Sequence, residues 1–169
     1  MSKVAILLAT LATLWKVALT EIMVIHPDSL AAAHKNISYS LARFGDIDYR
    51  SSIVFKLFLP SSETACTYVD HVPDSTLKTA FLIERGDCSF SKKSSITFGA
   101  GADLAIVIKK QDDPVGDTFI PVPDGKVTKF NAPLIIIDYA VGQDLKKAVK
   151  NGEQVLLRID FDAVGTLVT

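Results

Sequence analysis

The sequence has little of what catalytic and metal centres are usually built from. It contains three histidines and two cysteines among 169 residues. The histidines, His26, His34 and His71, lie in polar or proline-flanked segments, and none is part of the histidine-carboxylate pattern of a zinc site. The Gly-x-Ser-x-Gly turn of serine hydrolases is also missing. These absences argue against an enzyme, and we expect neither a cofactor nor a bound metal.

The chain also lacks an excess of either charge, because 18 basic residues stand against 19 acidic ones. A protein that binds nucleic acid needs a basic surface to neutralise phosphates, so nucleic acid is not an expected partner. After residue 20, no apolar stretch reaches the ~20 residues that a membrane-spanning helix needs. We therefore expect no membrane span in this part of the chain.

The first 20 residues are typical of a secretory signal peptide. A lysine precedes an apolar segment from Val4 to Trp15, and the small residues Ala18 and Thr20 suit cleavage directly after them. The apolar segment is short for a bilayer, although a retained membrane anchor is the alternative. We expect residues 1–20 to be removed and residues 21–169 to form a single domain, secreted or held in the lumen of the secretory pathway.

The stretch from Phe81 to Lys109 predicts a strand, a helix and a second strand. Its first apolar run breaks at residues 84–87, where a glycine and small polar side chains favour a tight turn. Asp87 or Ser89 can then cap a helix, and residues 104–108 form a second apolar run of strand length. The residues that recur at helical spacing between the two runs are Phe90, Ser94, Thr97 or Phe98, and Gly101. The order of elements implies a right-handed parallel crossover.

Apolar patterns predict the other elements. A second helix carries Val141, Leu145 and Ala148 on one face and ends at Asn151 and Gly152. With about seven strands, two helices and mixed connections, the predicted class is α+β. The segment from 60 to 74 is mostly polar and is expected to be a surface loop. The further strands are predicted at residues 38–44, 52–59, 134–137 and 155–161.

Cys66 and Cys88 are the only cysteines. Two cysteines in an exported protein usually pair, and this bond would close a loop of about 23 residues and contribute about 3 kcal/mol by restricting the unfolded chain. A nucleophilic or metal-binding thiol is the alternative, and it would need a reduced site beside a base. Asn36 begins the sequon Asn36-Ile37-Ser38, so we predict that export leads to its glycosylation.

The pattern around the central turn resembles the signature of protease-associated domains. The matching residues are Arg85, Gly86, Cys88, Phe90, Lys93, Gly101 and Ala102. A later apolar strand followed by Gly142 and Leu145 resembles the second strand and helix of the family, and the whole resemblance spans roughly Ile25 to Phe161. Thr97 stands where the family usually has alanine, and Lys109 where a carboxylate or amide often ends the strand.

Protease-associated domains occur as inserts in peptidases, as the luminal part of plant vacuolar sorting receptors and as small secreted glycoproteins. The resemblance implies a compact β-sandwich or open barrel that binds a protein or peptide and does not catalyse. Family members carry matching cysteines, which agrees with the predicted disulfide. The alternatives are an accessory or regulatory subunit of a peptidase and a small hydrolase whose site is assembled from distant residues.

In the vacuolar sorting receptors, the arginine of this turn contacts cargo peptide, so the resemblance implies the same role for Arg85. We expect a recognition surface made of the Arg85 turn and the loop from Asp112 to Asp124. Pairing of Arg85 with Glu84 or with a loop acid is the structural alternative. The candidate ligand-binding residues are Arg85, Gly86, Asp87, Asp112, Asp113 and Asp117.

Two other interpretations of these residues are weaker. Arg85-Gly86-Asp87 spells the integrin-binding tripeptide, but the needs of a tight turn and a helix start explain the glycine and the aspartate. Asp112, Asp113 and Asp117 suggest calcium, yet their spacing lacks the alternating acidic ligands and the terminal glutamate of a helix-loop-helix site.

Overall fold

A computed structural model describes residues 21–45, 51–72, 75–115, 121–122 and 132–161. Within these residues the chain forms eight strands and three helices. The strands are β1 (Glu21–His26), β2 (Ile37–Ser38), β3 (Ser40–Leu41), β4 (Ser51–Phe58), β5 (Lys78–Glu84), β6 (Leu104–Ile108), β7 (Leu134–Ile137) and β8 (Leu156–Phe161). The helices are α1 (Asp28–Ala33), α2 (Phe90–Gly99) and α3 (Tyr139–Lys150).

The strands form one sheet in the order β2-β1-β8-β4-β5-β6-β7-β3. Its central strands β4, β5, β6 and β7 run parallel, whereas β8 is antiparallel to β1 and β4. The two edge strands, β2 and β3, are separated in the chain only by Tyr39, so the sheet curls into a nearly closed barrel. The predicted α+β class and open barrel are confirmed.

Strands β5, β6 and β7 are buried on both faces along most of their length, as their apolar runs predict. Leu104, Ile106 and Ile108 of β6 belong to a core cluster shared with α3, while Ala105 and Val107 belong to a second cluster on the α2 side. Alternate side chains of β6 therefore pack into two different cores, because successive residues of a strand point to opposite faces.

The predicted strand-helix-strand unit is present as β5, α2 and β6, with β5 and β6 parallel. Of the two possible caps, Ser89 accepts a hydrogen bond from the Lys92 N–H at 3.2 Å. Of the two possible core positions, Thr97 is fully buried, whereas Phe98 is 45% exposed. The helix therefore turns a largely polar face inward.

Helix α3 ends as predicted, with Asn151 at its C-cap and Gly152 at φ +83°. Its Gly142 lies directly over β6: a Cβ added there would stand 2.5 Å from Cγ2 of Ile108. This close approach explains why a glycine is needed at this helical position.

Several details differ from the sequence-based expectations. β1 and the short helix α1 were not predicted, and the strand expected at 38–44 is instead two short strands that turn the chain from one edge of the sheet to the other. The segment from 60 to 74 is not simply a surface loop, because Ala65 and Val69 are buried in the α2-side core. No helix in the described residues is long and apolar enough to cross a membrane. The predicted signal peptide at residues 1–20 lies outside them.

Candidate functional site

The carboxyl ends of the four parallel strands meet at one edge of the sheet. The loops that follow β4, β5 and β6 begin at Leu59, Arg85 and Lys109, and Asp138 follows β7. In both barrels and open sheets of parallel strands, ligands commonly bind at the carboxyl ends of the strands. This edge, the carboxyl edge, is therefore the expected location of a site.

The Arg85 turn is held rigidly at the carboxyl edge. The Arg85 N–H donates to the Ile108 carbonyl at 3.1 Å, which extends the pairing of β5 with β6 by one residue. Gly86 then adopts φ +126° and Asp87 φ +63°, so the chain reverses sharply. Directly after the turn, Cys88 is bonded to Cys66, with 5.7 Å between the Cα atoms. The predicted disulfide is confirmed, and it fastens the turn to the loop that follows β4.

Arg85 and Asp113 join the turn to the loop that follows β6. Nη1 of Arg85 lies 2.6 Å from Oδ1 of Asp113, and the N–H of Lys110 donates to Oδ2 of Asp113 at 2.7 Å. Burial opposes ionisation of Asp113, but these hydrogen bonds and the charges of Arg85 and Lys110 outweigh it, so the pKa of Asp113 lies below its ordinary value. The pair therefore stays ionised at neutral and mildly acidic pH.

Other charged groups at the carboxyl edge are also paired. Nζ of Lys146, on α3, lies 2.6 Å from Glu84 and 2.9 Å from Glu63. Burial opposes the charge of Lys146, but its bonds to the two glutamates outweigh it and raise the pKa of Lys146. The hydrogen bond from Lys146, together with one from Lys150, lowers the pKa of Glu63. Glu84 is thus engaged by α3, while a loop acid pairs with Arg85.

The structure brings most of the predicted ligand-binding residues together. Arg85 and Asp113 are in contact, and their side chains are 32% and 18% exposed. Gly86 and the exposed Asp87 complete the turn, and the exposed Asp112 precedes Asp113. The sixth candidate, Asp117, lies outside the described residues, and so do residues 116–120 and 123–124 of the loop that was expected to contribute to the recognition surface. Ligand binding by this set stays a prediction.

Asn36 is exposed and lies just before β2, at the surface. A glycan there would project away from the core, and its attachment stays a prediction. In the described part of the chain, no three His, Cys, Asp or Glu side chains are grouped in a way that could hold a metal ion.

Lys93 is the feature that sequence analysis missed. Its side chain is fully buried, and its ammonium donates to the Thr64 carbonyl and lies 3.5 Å from Sγ of Cys66. Burial lowers the pKa of Lys93 to about 8, and the charge of Asp87 partly opposes this shift. Lys93 belongs to the motif that carries the family resemblance, which was the available signal, but a lysine in a helix is normally expected to point to solvent.

Two hollows open on the surface of the described residues. One, of about 160 Å³, lies beside the network of Lys146 and Glu84 and has Leu59, Pro60 and Leu82 in its wall. The other, of about 200 Å³, lies between α2 and the loop that follows Cys66, and is lined by Tyr68, Val69, Ile96, Gly99 and Ala100. Only the first adjoins the carboxyl edge.

The chain is similar in sequence to part of the vacuolar-sorting receptors. It is 27% identical over 148 residues to vacuolar-sorting receptor 7 of Arabidopsis thaliana and 24% identical over 149 residues to vacuolar-sorting receptor 1 of Pisum sativum, with 83% of the chain covered in each case. The chain spans about a quarter of the length of these relatives, since the matches cover 23% of each. No protein-family model matches the chain.

Solved structures show the same fold within peptidases. An aminopeptidase from Aneurinibacillus sp. strain AM-1 superposes with a TM-score of 0.58 at 14% identity, covering 85% of this chain and 30% of that one. A zinc aminopeptidase from Bacillus subtilis gives a TM-score of 0.55 at 15% identity, covering 83% of this chain and 29% of that one. The vacuolar-sorting receptors have a protease-associated domain in their luminal region, and these aminopeptidases contain one too, so the predicted resemblance to that family is confirmed.

Proposed function

We propose that this chain is a non-catalytic module that binds a protein or peptide through the surface formed by the Arg85 turn and the loop at residues 109–115. One observation carries the proposal. A chain similar to vacuolar-sorting receptors over 83% of its length has its Arg-Gly-Asp turn linked, by the contact of Arg85 with Asp113, to the loop after the neighbouring parallel strand.

The chemistry of this surface suits an extended peptide. A guanidinium can bind a carboxylate or a carbonyl with charge-assisted hydrogen bonds, and Arg85 is one-third exposed. Asp113 already fixes the direction of the guanidinium, so a ligand meets an oriented donor group. The exposed acids Asp87 and Asp112 flank the pair and favour a ligand that also carries a basic or amide group.

The surface is also preorganised. The disulfide holds the turn, and the Lys110 N–H holds the side chain of Asp113. A rigid surface loses little conformational entropy when it binds, so a small contact area can give useful affinity. The proposal therefore needs no large rearrangement of the described residues.

A selected peptide provides the test. Peptides would be isolated from a displayed random library with residues 21–169, and the dissociation constant of the best one measured by calorimetry for the native chain and for Arg85→Ala. Loss of a charge-assisted hydrogen bond predicts weakening of about tenfold or more. Asp113→Ala should weaken binding less, because it leaves the guanidinium in place but less well oriented.

Lys78→Ala is the matched control. Lys78 forms an ion pair with Asp103 at 2.6 Å, at the opposite end of the parallel strands, so the variant removes the same kind of interaction far from the site. Equal affinities for the native, Arg85→Ala and Lys78→Ala chains would show that the binding surface lies elsewhere.

A peptidase partner is the second candidate, because the domain's fold occurs within aminopeptidases. Capture of a peptidase by the native chain from extracellular and vesicle fractions, with a change in that peptidase's rate, would favour an accessory or regulatory role. The enzyme alternative predicts a pH-dependent rate in a screen of peptide and ester substrates with the purified chain alone.

We also propose that the chain enters the secretory pathway and carries a glycan. Expression in a eukaryotic secretory host should give a mature chain whose first residue is Glu21, and Asn36→Gln should reduce its mass by one glycan. A retained residue 1 would support the membrane-anchor alternative.

A further inference from the structure

The two sulfur atoms of the disulfide lie in different electrostatic surroundings. The ammonium of Lys93 is 3.5 Å from Sγ of Cys66. Cys88 instead follows the exposed acid Asp87 in the Arg85 turn. A positive charge therefore adjoins one sulfur and a negative charge is next in the chain to the other.

Lys93 is held at Cys66 by the packing of α2. The helix buries Lys93, Ser94 and Thr97, and the fully buried lysine side chain reaches the loop that follows β4. There its ammonium meets the carbonyl of Thr64 and the sulfur of Cys66. Both contacting partners are neutral, and in the described residues no carboxylate forms an ion pair with the ammonium. The charge of Asp87 acts on Lys93 without such a contact and only partly offsets the effect of burial.

An anion at the position of Cys66 would stabilise the buried ammonium of Lys93. Burial lowers the pKa of Lys93 to about 8, so the group is still mostly protonated at neutral pH. A thiolate at Cys66 would place a negative charge in contact with the ammonium, which Asp87 does not do. An adjacent ammonium is one of the features that lower the pKa of a thiol.

We propose that Cys66–Cys88 is a directional thiol-exchange site, in which an incoming thiolate attacks Sγ of Cys88 and Cys66 departs as a thiolate paired with Lys93. The class of reactant is a small thiol or a dithiol oxidoreductase. A thiol that leaves as a more stable anion leaves faster, so the ammonium selects which half of the disulfide is the leaving group.

The step balances without a further reactant. A bond forms between the incoming sulfur and Cys88, the bond between Cys88 and Cys66 breaks, and its electron pair goes to Cys66. Lys93 keeps its proton and supplies only charge. A second thiol of a dithiol reductant can then attack its own sulfur in the mixed disulfide, which releases Cys88 as a thiolate and leaves both cysteines reduced.

The exchange does not depend on peptide binding, but it has a consequence for the proposed surface. The disulfide is the covalent tie between the Arg85 turn and the loop that follows β4. Its opening would free the turn and raise the entropic cost of binding there.

The first test maps the position of attack. The native chain, Lys93→Met and Lys92→Met would each be treated briefly with reduced glutathione, quenched with excess N-ethylmaleimide, digested and mapped by mass spectrometry. Lys92 is the exposed neighbour on the same helix and is the matched control. In the native chain and Lys92→Met, we expect about tenfold more glutathione on Cys88 than on Cys66. In Lys93→Met, the two positions should carry similar amounts.

Equal labelling of both cysteines in the native chain would overturn the proposal, and so would a native preference that persists in Lys93→Met. If Lys93→Met does not fold, the ratio of glutathione on Cys88 to glutathione on Cys66 in the native chain is enough to test the proposal.

The second test measures the thiols separately. In Cys88→Ser and Cys66→Ser, the rate of alkylation by iodoacetamide as a function of pH gives the pKa of the remaining thiol. Cys66 should titrate about one unit or more below Cys88, and adding Lys93→Met to Cys88→Ser should remove that difference. A Cys66 thiol no more acidic than Cys88 would contradict the proposed role of the ammonium. Neither test uses a peptide ligand, so its failure leaves the proposed binding function intact.

Discussion

Helices α2 and α3 each follow a parallel strand and pack on opposite faces of the same sheet, but each buries a lysine in a different way. Lys146 of α3 lies between two glutamates, and its pKa is raised. Lys93 of α2 lies against a carbonyl and a disulfide sulfur, and its pKa is lowered. A buried lysine in contact with carboxylates cross-links secondary structure, whereas one with only neutral groups in contact is available to stabilise a developing anion.

The largest expected effect distinguishes Lys93 from Lys146 by the pH dependence of the free energy of unfolding. The pKa of Lys93 is about 8 in the folded chain, against an ordinary value of 10.5, so the unfolded chain binds more protons between these values. The free energy of unfolding of the native chain should therefore rise relative to Lys93→Met between pH 8 and 10.5, by up to about 3 kcal/mol. Urea denaturation across this range is the measurement.

Lys92→Met is the control for that experiment and should follow the native chain throughout. A difference between the native chain and Lys93→Met that stays constant with pH would mean that the buried ammonium does not titrate as described.

The next effect contrasts how closely the helices approach the sheet. Gly142→Ala in α3 would place a Cβ 2.5 Å from a methyl carbon of Ile108, so we expect a loss of about 2 kcal/mol through overpacking. Gly99→Ala at the end of α2 meets no atom within 4 Å and should be neutral or stabilise the fold by about 0.5 kcal/mol. Thermal unfolding of the two variants gives the comparison, and equal losses would show that α3 can shift to make room.

The smallest effect concerns the paired lysine at neutral pH. Lys146→Met leaves Glu63 and Glu84 without their shared cation, but both are partly exposed, so the expected loss is about 1 kcal/mol. Lys93→Met removes a buried charge that forms no ion pair in the described residues, so it should cost less, or stabilise the fold, at the same pH. Denaturant curves at pH 7 measure both losses of stability, and a larger loss for Lys93→Met than for Lys146→Met would contradict this prediction.

Helices α2 and α3 also differ in how much of their structure could be predicted from the sequence. Helix α3 has Leu145 and Ala148 at helical spacing, and its C-terminal Asn151 and Gly152 are strong stop signals, so its position and inner face were predicted. In α2 the spacing left Thr97 and Phe98 as alternatives, because an inner face made of small and polar groups gives no strong apolar period.

The candidate site was predicted only in part. The turn at Gly86 and the pairing of Cys66 with Cys88 follow from local chemistry and from the resemblance. The contact of Arg85 with Asp113 spans 28 residues, and sequence left Glu84, a loop acid and a ligand as competing partners. The register of β5 with β6 decides that contact, because it brings the two following loops to the same edge.

By itself, the sequence determined the class of fold, the central crossover and the disulfide, because apolar period, turn residues and cysteine number act locally or depend on composition. Only the tertiary structure decided that Lys93 points inward at Cys66 and that the sheet nearly closes through β2 and β3. Those features depend on which distant backbone groups lie beside a side chain. A single buried charge takes its partners from the packing around it, not from its neighbours in the chain.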